Sequence, residues 1–562
     1  MTVEPSSTTD QSERKKLVKA RWGILRNALM RGAQEEQQQQ KHSIHCFPGF
    51  NLLKGIPVNL TSSLSGSQSE SCQIEKWLTE YRWCDAENHT LEQNIDNMEI
   101  AILALAACFP KGKCMRIIRT IDTTSGDGDS EIENDFSSNW LESIKQRCQP
   151  SVRVWKASEE EEVLEQKCAA KNVVTTLLVQ ETSTSTKYQT LRYNLDNTKC
   201  NTVSTIVTVE SLCDILWTRE PRETRLSLDD LISHRKNKGV DNTGNICIWD
   251  SERTLAYLLY HYFDDFFSFT KVNSDDDSMS IVCSCHNDSG DPDSCIVFQQ
   301  QEKDHSKVRV LELGTGMAGL SAVSLGLRLA MRQRKNGDET NESNDNDDES
   351  EGKNKKDIHI TLTDGNSNGV KNNAINQYLT ELNSRTMLKE RGIHSNYLDL
   401  SVNCATLLWT TDISGEKNTK KEYSYLDQDV ILVSDCVHFQ NFHAALAITT
   451  LRCLRVGGSA IFCQPRRGPS LNNFFNLLST ATSETGFTRS TSLLSISRFS
   501  HPIIDQKHDE SLVQHSDIYD ENLHRPEILA ITKLREITEN DRMRFISFQQ
   551  RYNPVKSKIT EE

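Results

Sequence analysis

From about residue 306, short β-branched runs alternate with segments of helix length, and this alternation constrains the fold more than any other feature of the 562-residue chain. Such alternation is typical of a parallel sheet with crossover helices. We therefore predict an α/β fold with a Rossmann-like sheet of seven strands. The predicted strands are residues 308–314, 358–364, 405–410, 429–435, 459–464, 490–497 and 527–534.

The pattern divides the chain into three parts. Residues 1–240 give mixed helix and strand signals between polar spacers and are expected to be an accessory region with disordered insertions. Residues 241–540 form the predicted main domain, and 541–562 a tail. Within the main domain we expect inserted loops at 270–305 and 336–356. The second of these contains no apolar side chain and carries eight acids against three lysines, so it has nothing to bury.

Charge and hydropathy exclude several functions. The formal net charge is -15, whereas a general nucleic-acid binder needs an excess of Lys and Arg to displace counterions from phosphates. No run of 18 apolar residues occurs, so no membrane association is expected. The 17 cysteines are scattered and odd in number, which favours reduced thiols. We expect a cytoplasmic protein, with the nucleus as a further compartment.

A glycine-rich turn follows the first predicted strand. Gly314 and Gly316 lie in the run ELGTGMAG (312–319), which leaves the strand and enters a helix. Glycines let the backbone turn sharply and approach a ligand closely, and the helix N-terminus offers free N–H groups. The spelling also matches GxGxxG, the dinucleotide fingerprint. A turn of this kind can serve the structure alone.

An acid ends the second predicted strand, in the run LTDGN (362–366). There Asp364 can accept hydrogen bonds from both hydroxyls of a ribose, and Asn366 follows it as a further candidate ligand. The alternative is an ordinary turn acid. Because NAD sites and S-adenosylmethionine sites both use such a residue, these two motifs predict only an adenosine-containing cofactor.

Two more strands end in residues that can face the same ligand. Trp409 ends the predicted third strand and can offer a flat face to adenine, or can plug the core. Asp435 and His438 follow the fourth strand. Since the carboxyl ends of central parallel strands form the ligand crevice, both should face cofactor or substrate. The alternative is that Asp435 caps a helix and His438 is an ordinary loop histidine.

A cysteine cluster resembles a metal site only superficially. Cys283, Cys285, His286 and Cys295 bring thiolates and an imidazole close together in sequence. The fourth ligand with the usual CxxC spacing is missing, and the stretch is polar and rich in Asp. Free thiols are the better interpretation, so we predict no metal.

With these residues in view, several separate segments closely resemble the calmodulin-lysine N-methyltransferases, a family of seven-strand class I S-adenosylmethionine-dependent enzymes. The resemblance runs in pieces from about residue 20 to 535, interrupted at roughly 65–225, 270–305 and 336–356. The similar segments are 20–30, 47–53, 241–262, 362–366, 465–478 and 516–533.

The resemblance implies S-adenosylmethionine as the cofactor and calmodulin as the protein substrate. It implies that the turn from Glu312 through Gly316 holds the methionine part, Asp364 the ribose and Trp409 the adenine edge. It implies further that Trp249 lies against the cofactor or the lysine channel, and that Asp435 is the acid that opens the motif after the fourth strand.

This chain departs from the family pattern at two positions in the substrate channel. His438 stands where the family usually has an aromatic residue, and Asp250 where Pro is common.

Methyl transfer to lysine requires a neutral amine held in line with the methyl group, so positioning supplies most of the catalysis. We expect Asp435, or a water beside His438, to take the lysine proton, and Trp249 to form an aromatic wall. Because calmodulin is acidic, a basic patch is needed, and Arg466 and Arg467 after the fifth strand are the candidates. The alternative for these arginines is internal pairing with acids.

Three functions remain open at this point. The first is a calmodulin-lysine methyltransferase. The second is a nicotinamide-dependent oxidoreductase, which only the GxGxxG spelling favours. The third is a catalytically silent methyltransferase-like binding module.

Overall fold

The computed structural model describes the chain in segments. These are residues 52, 55–58, 80–84, 90–108, 114–121, 132–149, 152–156, 173–181, 189–194, 214–219, 248–273, 276–283, 307–316, 318–338, 357–390, 400–412, 425–480, 492–514 and 519–552. Cys285, His286 and Cys295 of the cysteine cluster lie outside these residues, as do the similar segments 20–30 and, except for Leu52, 47–53.

The described residues of the accessory region form two small sheets and two helices. Its elements are β1 (Gly55–Val58), β2 (Glu80–Cys84), α1 (Leu91–Cys108), β3 (Cys114–Ile121), α2 (Ile132–Cys148), β4 (Val152–Lys156), β5 (Val173–Glu181), β6 (Gln189–Asn194) and β7 (Asp214–Arg219). One sheet has the antiparallel order β1-β6-β7, and the other has the order β2-β3-β5-β4, in which only β2 and β3 are parallel. Both helices pack on the second sheet around the buried Ile102 and Trp140. The topology of the accessory region was not predictable from the sequence.

A helix pair and a ribbon precede the main sheet. They are α3 (Asp250–His261), α4 (Phe263–Phe266), β8 (Phe267–Asn273) and β9 (Asp276–Cys283), and the two strands pair antiparallel. The ribbon contains the start of the predicted insertion 270–305, so this part of the insertion is regular structure.

The main sheet has seven strands, as predicted. Its elements are β10 (Lys307–Leu313), α5 (Leu320–Asp338), β11 (Asp357–Asp364), α6 (Ser367–Glu390), β12 (Leu400–Thr406), β13 (Gln428–Ser434), α7 (His443–Cys453), β14 (Leu454–Pro465), α8 (Ser470–Ser479), β15 (Leu494–Phe499), α9 (Pro502–Gln514), α10 (Glu521–His524), β16 (Pro526–Lys533) and α11 (Glu539–Tyr552). The order is β12-β11-β10-β13-β14-β16-β15. The first five strands are parallel, and β16 runs antiparallel to both of its neighbours.

Helices cover both faces of the sheet, which explains why its central strands are continuous apolar runs. In β13 the residues from Val430 to Val433 are all buried. On one face α3 and α5 pack together, α5 over β10 and β11 and α3 over β13 and β14. On the other, α7, α8 and α11 enclose a second core around Phe462, Phe474 and Phe545.

Three predicted boundaries were wrong. The third strand is Leu400–Thr406, not 405–410, because β12 is an edge strand whose outer face is exposed and whose residues alternate in burial. Helix α5 continues to Asp338, past the predicted loop start at 336. The expected tail from 541 begins inside α11, whose Phe545 is fully buried.

The accessory region docks on the main domain through α6. The buried Ala104 of α1 contacts Leu379, and Glu99 forms an ion pair with Lys371 at the same contact. Strand β7 also packs against α6.

Among the described residues, no helix is long and apolar enough to cross a membrane. The same part of the chain contains no group of three or more His, Cys, Asp or Glu arranged to hold a metal ion.

Candidate functional site

The carboxyl ends of β10, β11, β13 and β14 meet at one edge of the sheet, where open parallel sheets bind ligands. The glycine turn, Asp364, Asp435 and Arg467 each follow or end one of these strands. These predicted site residues therefore lie at one edge of the sheet, and their contacts with cofactor or substrate stay predictions.

The side chains of Cys436 and Trp409 pack against the glycine turn. Gly314 has φ +68° and Gly316 φ +56°, which is the left-handed region. A Cβ at Gly314 would lie 2.5 Å from the Cys436 sulfur and 3.2 Å from a ring carbon of Trp409. Only glycine fits at position 314, between the strand end and these two side chains.

Asp364 holds the turn from the neighbouring strand. Its Oδ2 accepts a hydrogen bond from the Gly316 N–H at 2.9 Å, and its Oδ1 accepts one from the Asn366 N–H at 2.7 Å. Each carboxylate oxygen has further lone-pair capacity, so these bonds leave room for ribose hydroxyls. Asn366 contributes its backbone N–H here, and its side-chain oxygen accepts from the N–H of Asn368.

Asn373 completes the turn and was missed by sequence reasoning. Its fully buried side-chain amide donates to the Thr315 hydroxyl at 2.7 Å and to the Gly316 carbonyl at 3.0 Å. It lies within α6, and an asparagine inside a helix carries no signal in a single sequence that distinguishes it from a surface residue.

Glu312 faces into the fold. It is 1% exposed, and its Oε2 accepts a hydrogen bond from the Ala322 N–H at 2.9 Å. Glu252 of α3 accepts from the Leu320 N–H at 2.9 Å, so two buried carboxyl groups cap the same helix N-terminus. Burial raises the pKa of Glu252 to about 7, and burial together with Glu252 raises the pKa of Glu312 well above its usual range. A cofactor contact for Glu312 stays a prediction, and the role of Glu252 had no sequence signal.

Trp409 lies three residues beyond the end of β12, in the segment that follows the strand. Its ring covers Gly314 and meets Phe442 edge-on, with ring centroids 6.4 Å apart. The neighbouring Thr410 N–H donates to the Thr449 hydroxyl at 2.9 Å, which ties this segment to α7. The tryptophan therefore forms one wall of the cleft at the glycine turn, as an adenine platform requires.

Asp435 and Arg467 form the strongest polar contact of the cleft. The Arg467 Nε donates to Oδ1 at 2.8 Å, and a terminal nitrogen donates to Oδ2 at 2.5 Å. The Asp435 side chain is 4% exposed, so this bidentate pair neutralises a buried carboxylate. The Arg467 Cζ also lies 5.3 Å from the centroid of the Trp249 ring. The structure thus joins three predicted site residues that are far apart in sequence.

Arg466 also pairs internally. Its Nε donates to Glu527 at 2.5 Å, and another nitrogen lies 3.4 Å from Glu521. Its side chain remains 41% exposed, whereas the Arg467 side chain is 24% exposed. The calmodulin-docking role of these arginines stays a prediction. In this structure both arginines pair internally with acids, which is the alternative interpretation.

His438 is oriented by the backbone of Asp435. Its Nδ1 lies 2.8 Å from the Asp435 carbonyl oxygen, which can only accept, so Nδ1 carries the proton. In the neutral ring Nε2 then holds the lone pair. His438 is therefore a better proton acceptor than Asp435, whose two carboxylate oxygens both bond to Arg467.

Burial also shifts the pKa values of other groups around the cleft. Burial raises the pKa of Asp250, with Arg253 opposing the shift, and burial lowers the pKa of His524. The Cys436 thiol lies against the glycine turn, and burial raises its pKa well above its usual range, as do Asp364 and Asp435. Cys436 is thus a packed thiol and not a nucleophile.

These residues fit the cofactor predicted from the sequence. The glycine turn after β10, an acid at the end of β11 and an aromatic ring beside the turn suit the methionine part, the ribose and the adenine of S-adenosylmethionine, respectively. None of these features requires a metal.

Residues 365–481 match the family model described as lysine methyltransferase. Among solved structures, an O-methyltransferase from Bacillus cereus in complex with SAH is 15% identical, over 41% of this chain and 75% of that chain, with a TM-score of 0.23. An rRNA methylase from Streptococcus thermophilus is 9% identical, over 41% and 89%, at 0.20. A TehB-like SAM-dependent methyltransferase from Corynebacterium glutamicum is 10% identical, over 40% and 80%, at 0.20.

The strand order of the main sheet establishes the fold. The similarity to these solved structures is too low to add an argument. The family match supports the predicted cofactor, S-adenosylmethionine, and its contacts with the residues of this cleft stay a prediction.

Proposed function

We propose that this chain is an S-adenosylmethionine-dependent protein-lysine N-methyltransferase and that calmodulin is its protein substrate. One observation carries the enzyme class. The buried carboxylate of Asp435 and the ring of Trp249 both contact one cation, the guanidinium of Arg467. Asp435 directly precedes Cys436, whose sulfur lies against the glycine turn. A place for a cation beside the cofactor turn is what methylation of lysine requires. The choice of calmodulin rests on the segments similar to that family, above all 241–262 and 465–478.

The bound cofactor supplies an electrophilic methyl group on a sulfonium. The chain's own residues hold the lysine side chain in line with it. Positioning two reactants in near-attack geometry can contribute about 7 to 11 kcal/mol, so no covalent nucleophile is needed. Trp249 beside Arg467 and Trp409 beside Gly314 are the proposed aromatic walls.

The lysine amine must lose its proton before its lone pair can form the new N–C bond as the C–S bond breaks. His438 is the proposed acceptor of that proton, because its Nδ1 is engaged by the Asp435 carbonyl and its Nε2 is left as the basic atom. Asp435 then acts electrostatically, by orienting the incoming ammonium group. A second candidate function, a nicotinamide-dependent oxidoreductase, has no support beyond the glycine spelling, and the order of the sheet differs from 3-2-1-4-5-6.

The test is incubation of the purified chain with calmodulin and radiolabelled S-adenosylmethionine, followed by mass mapping of the modified lysine. We expect label on calmodulin, and we expect His438→Asn to lower kcat and to remove the acidic limb of the pH profile, where a protonated base loses activity, while cofactor affinity is kept. His508→Asn is the matched control, because His508 lies on α9 and its ring contacts the Tyr519 hydroxyl. Binding of both cofactor and calmodulin without product would instead show a silent binding module.

A further inference from the structure

A side chain of the protein itself, Arg467, occupies the cation position near the glycine turn. The Arg467 guanidinium pairs with both oxygens of Asp435 and lies over Trp249. These two groups are the ones that would orient a lysine ammonium, a carboxylate by charge and a ring face by its quadrupole. An arginine of the chain therefore has the contacts that the proposed function gives to the substrate.

The backbone on both sides of this pair is strained. Asp435 has φ +52° and Arg467 φ +43°, and both carry a Cβ in the left-handed region that disfavours it. The Asp435 N–H donates to the Cys463 carbonyl at 3.1 Å and the Arg467 N–H to the Asn522 carbonyl at 2.8 Å, so the main chain is anchored at both residues. The side-chain ion pair adds to what holds this conformation.

The segment after Arg467 has space to move. Gly468 has φ +66°, and a Cβ built on it would meet no atom within 4 Å. Gly468 and Pro469 are both exposed. Open space therefore lies beside the residue that follows Arg467, and the Arg467 side chain is itself 24% exposed.

We propose that Arg467 occupies the acceptor place in the substrate-free protein and that the target lysine displaces it, taking over Asp435 and Trp249 as partners. This inference rests on the proposed function. A buried carboxylate is costly when unpaired, so the exchange must replace one cation by another. Lysine arrives protonated at neutral pH and meets this need. Arginine stays protonated, so the residue that fills the place is not itself methylated.

The first test makes the occupant methylatable. In Arg467→Lys the introduced amine should lie in the acceptor place, so incubation with S-adenosylmethionine alone should methylate residue 467, as read by mass mapping of tryptic and chymotryptic peptides. The matched control is Arg455→Lys. Arg455 forms a similar half-buried pair with Asp429, at 2.5 Å, but at the opposite edge of β13 and β14. No label is expected there.

An unmodified residue 467 in a variant that still binds the cofactor would overturn the proposal. So would a variant that fails to fold, provided that Arg467→Gln fails too, because the arginine would then serve the structure. This experiment needs no partner protein. If wild-type chain leaves calmodulin unlabelled while the introduced amine is methylated, calmodulin is wrong as the substrate and the acceptor place stands.

The second test uses binding instead of turnover. Arg467→Gln removes the competing cation, so calmodulin should bind at least about threefold more tightly in calorimetric titration with the demethylated cofactor present. Affinity for that cofactor should stay at the wild-type value. Weaker binding of calmodulin would overturn the proposal, since it would make Arg467 a docking or positioning residue.

Discussion

Asp364 serves the cleft in two ways, because its carboxylate holds the glycine turn and is also placed to receive a ribose. In Asp364→Asn an amide N–H₂ replaces one acceptor, so one charge-assisted bond to the cofactor is lost, worth about 1.5 to 3 kcal/mol. We expect S-adenosylmethionine affinity to fall at least about tenfold. The melting temperature should fall as well, because Gly316 or Asn366 loses its acceptor.

Calorimetric titration measures this effect, and Asp357→Asn is the control. Asp357 starts the same strand at the opposite edge of the sheet and is exposed. Wild-type affinity in Asp364→Asn would remove the ribose assignment.

Glu252 predicts a pH dependence of stability. Burial raises its pKa from the ordinary value of 4.5 to about 7, so the folded state keeps a proton that the unfolded state has lost. Between these values the folded state binds more protons, and stability must fall as pH rises from about 4.5 to about 7. Above pH 7 this cost is fully present.

We expect Glu252→Gln to remove this cost, because a neutral amide oxygen can still accept from the Leu320 N–H. Urea unfolding at pH 8 should show the variant about 1 to 3 kcal/mol more stable than wild type, with no difference near pH 4. Glu510→Gln is the control of opposite sign. The hydrogen bond from Lys507 lowers the pKa of Glu510, so its loss should destabilise slightly at pH 8. If wild type and Glu252→Gln give equal urea unfolding curves at pH 8, the buried Glu252 is not neutral.

At the scale of elements, α11 supports the loop that carries His438. The Gln549 side chain accepts from the Ala444 N–H at 2.5 Å and donates to the Asn441 carbonyl at 2.7 Å. The Tyr552 hydroxyl contacts His443 Nδ1 at 2.8 Å, and His443 Nε2 contacts the Val437 carbonyl at 2.6 Å. Burial lowers the pKa of His443 to about 4, so this histidine is a neutral link between helix and loop.

A chain ending at residue 540 should therefore lose more than a tail. Burial of Phe545 alone is worth about 3 to 5 kcal/mol, so we expect a large fall in the thermal midpoint and a loss of turnover. A chain ending at Tyr552 is the matched control and should behave as wild type. Equal stability of the two truncations would show that α11 does not belong to the domain.

At the scale of the whole molecule, polar insertions interrupt one continuous sheet. The structure describes the chain to Asp338 and again from Asp357, where α5 ends and β11 begins. Replacement of residues 341–354 by a short Gly/Ser link should leave fold and methylation intact. The segment contains nothing apolar to bury, and closure entropy changes only slowly with loop length.

Circular dichroism and turnover on calmodulin measure the outcome of this deletion. A deletion variant that folds, binds cofactor and no longer methylates calmodulin would identify the segment as part of the substrate surface. Aggregation of the variant would show that the segment shields the sheet.

The sequence by itself determined the order of strand and helix, the glycine turn and the acid after β11. Each of these is a local pattern: a buried apolar run, a turn that needs glycine, and a polar residue where a strand ends. It placed the third strand wrongly because an edge strand buries only one face, and the apolar run 405–410 mostly follows it.

Only the tertiary structure decided which charges meet. Trp249, Asp435 and Arg467 come from the start of α3, the end of β13 and the segment after β14, and strand order brings them together. Glu252 and Glu312 share one helix N-terminus for the same reason. The partner of a charged side chain depends on sheet order and register, and no local pattern in one sequence encodes either.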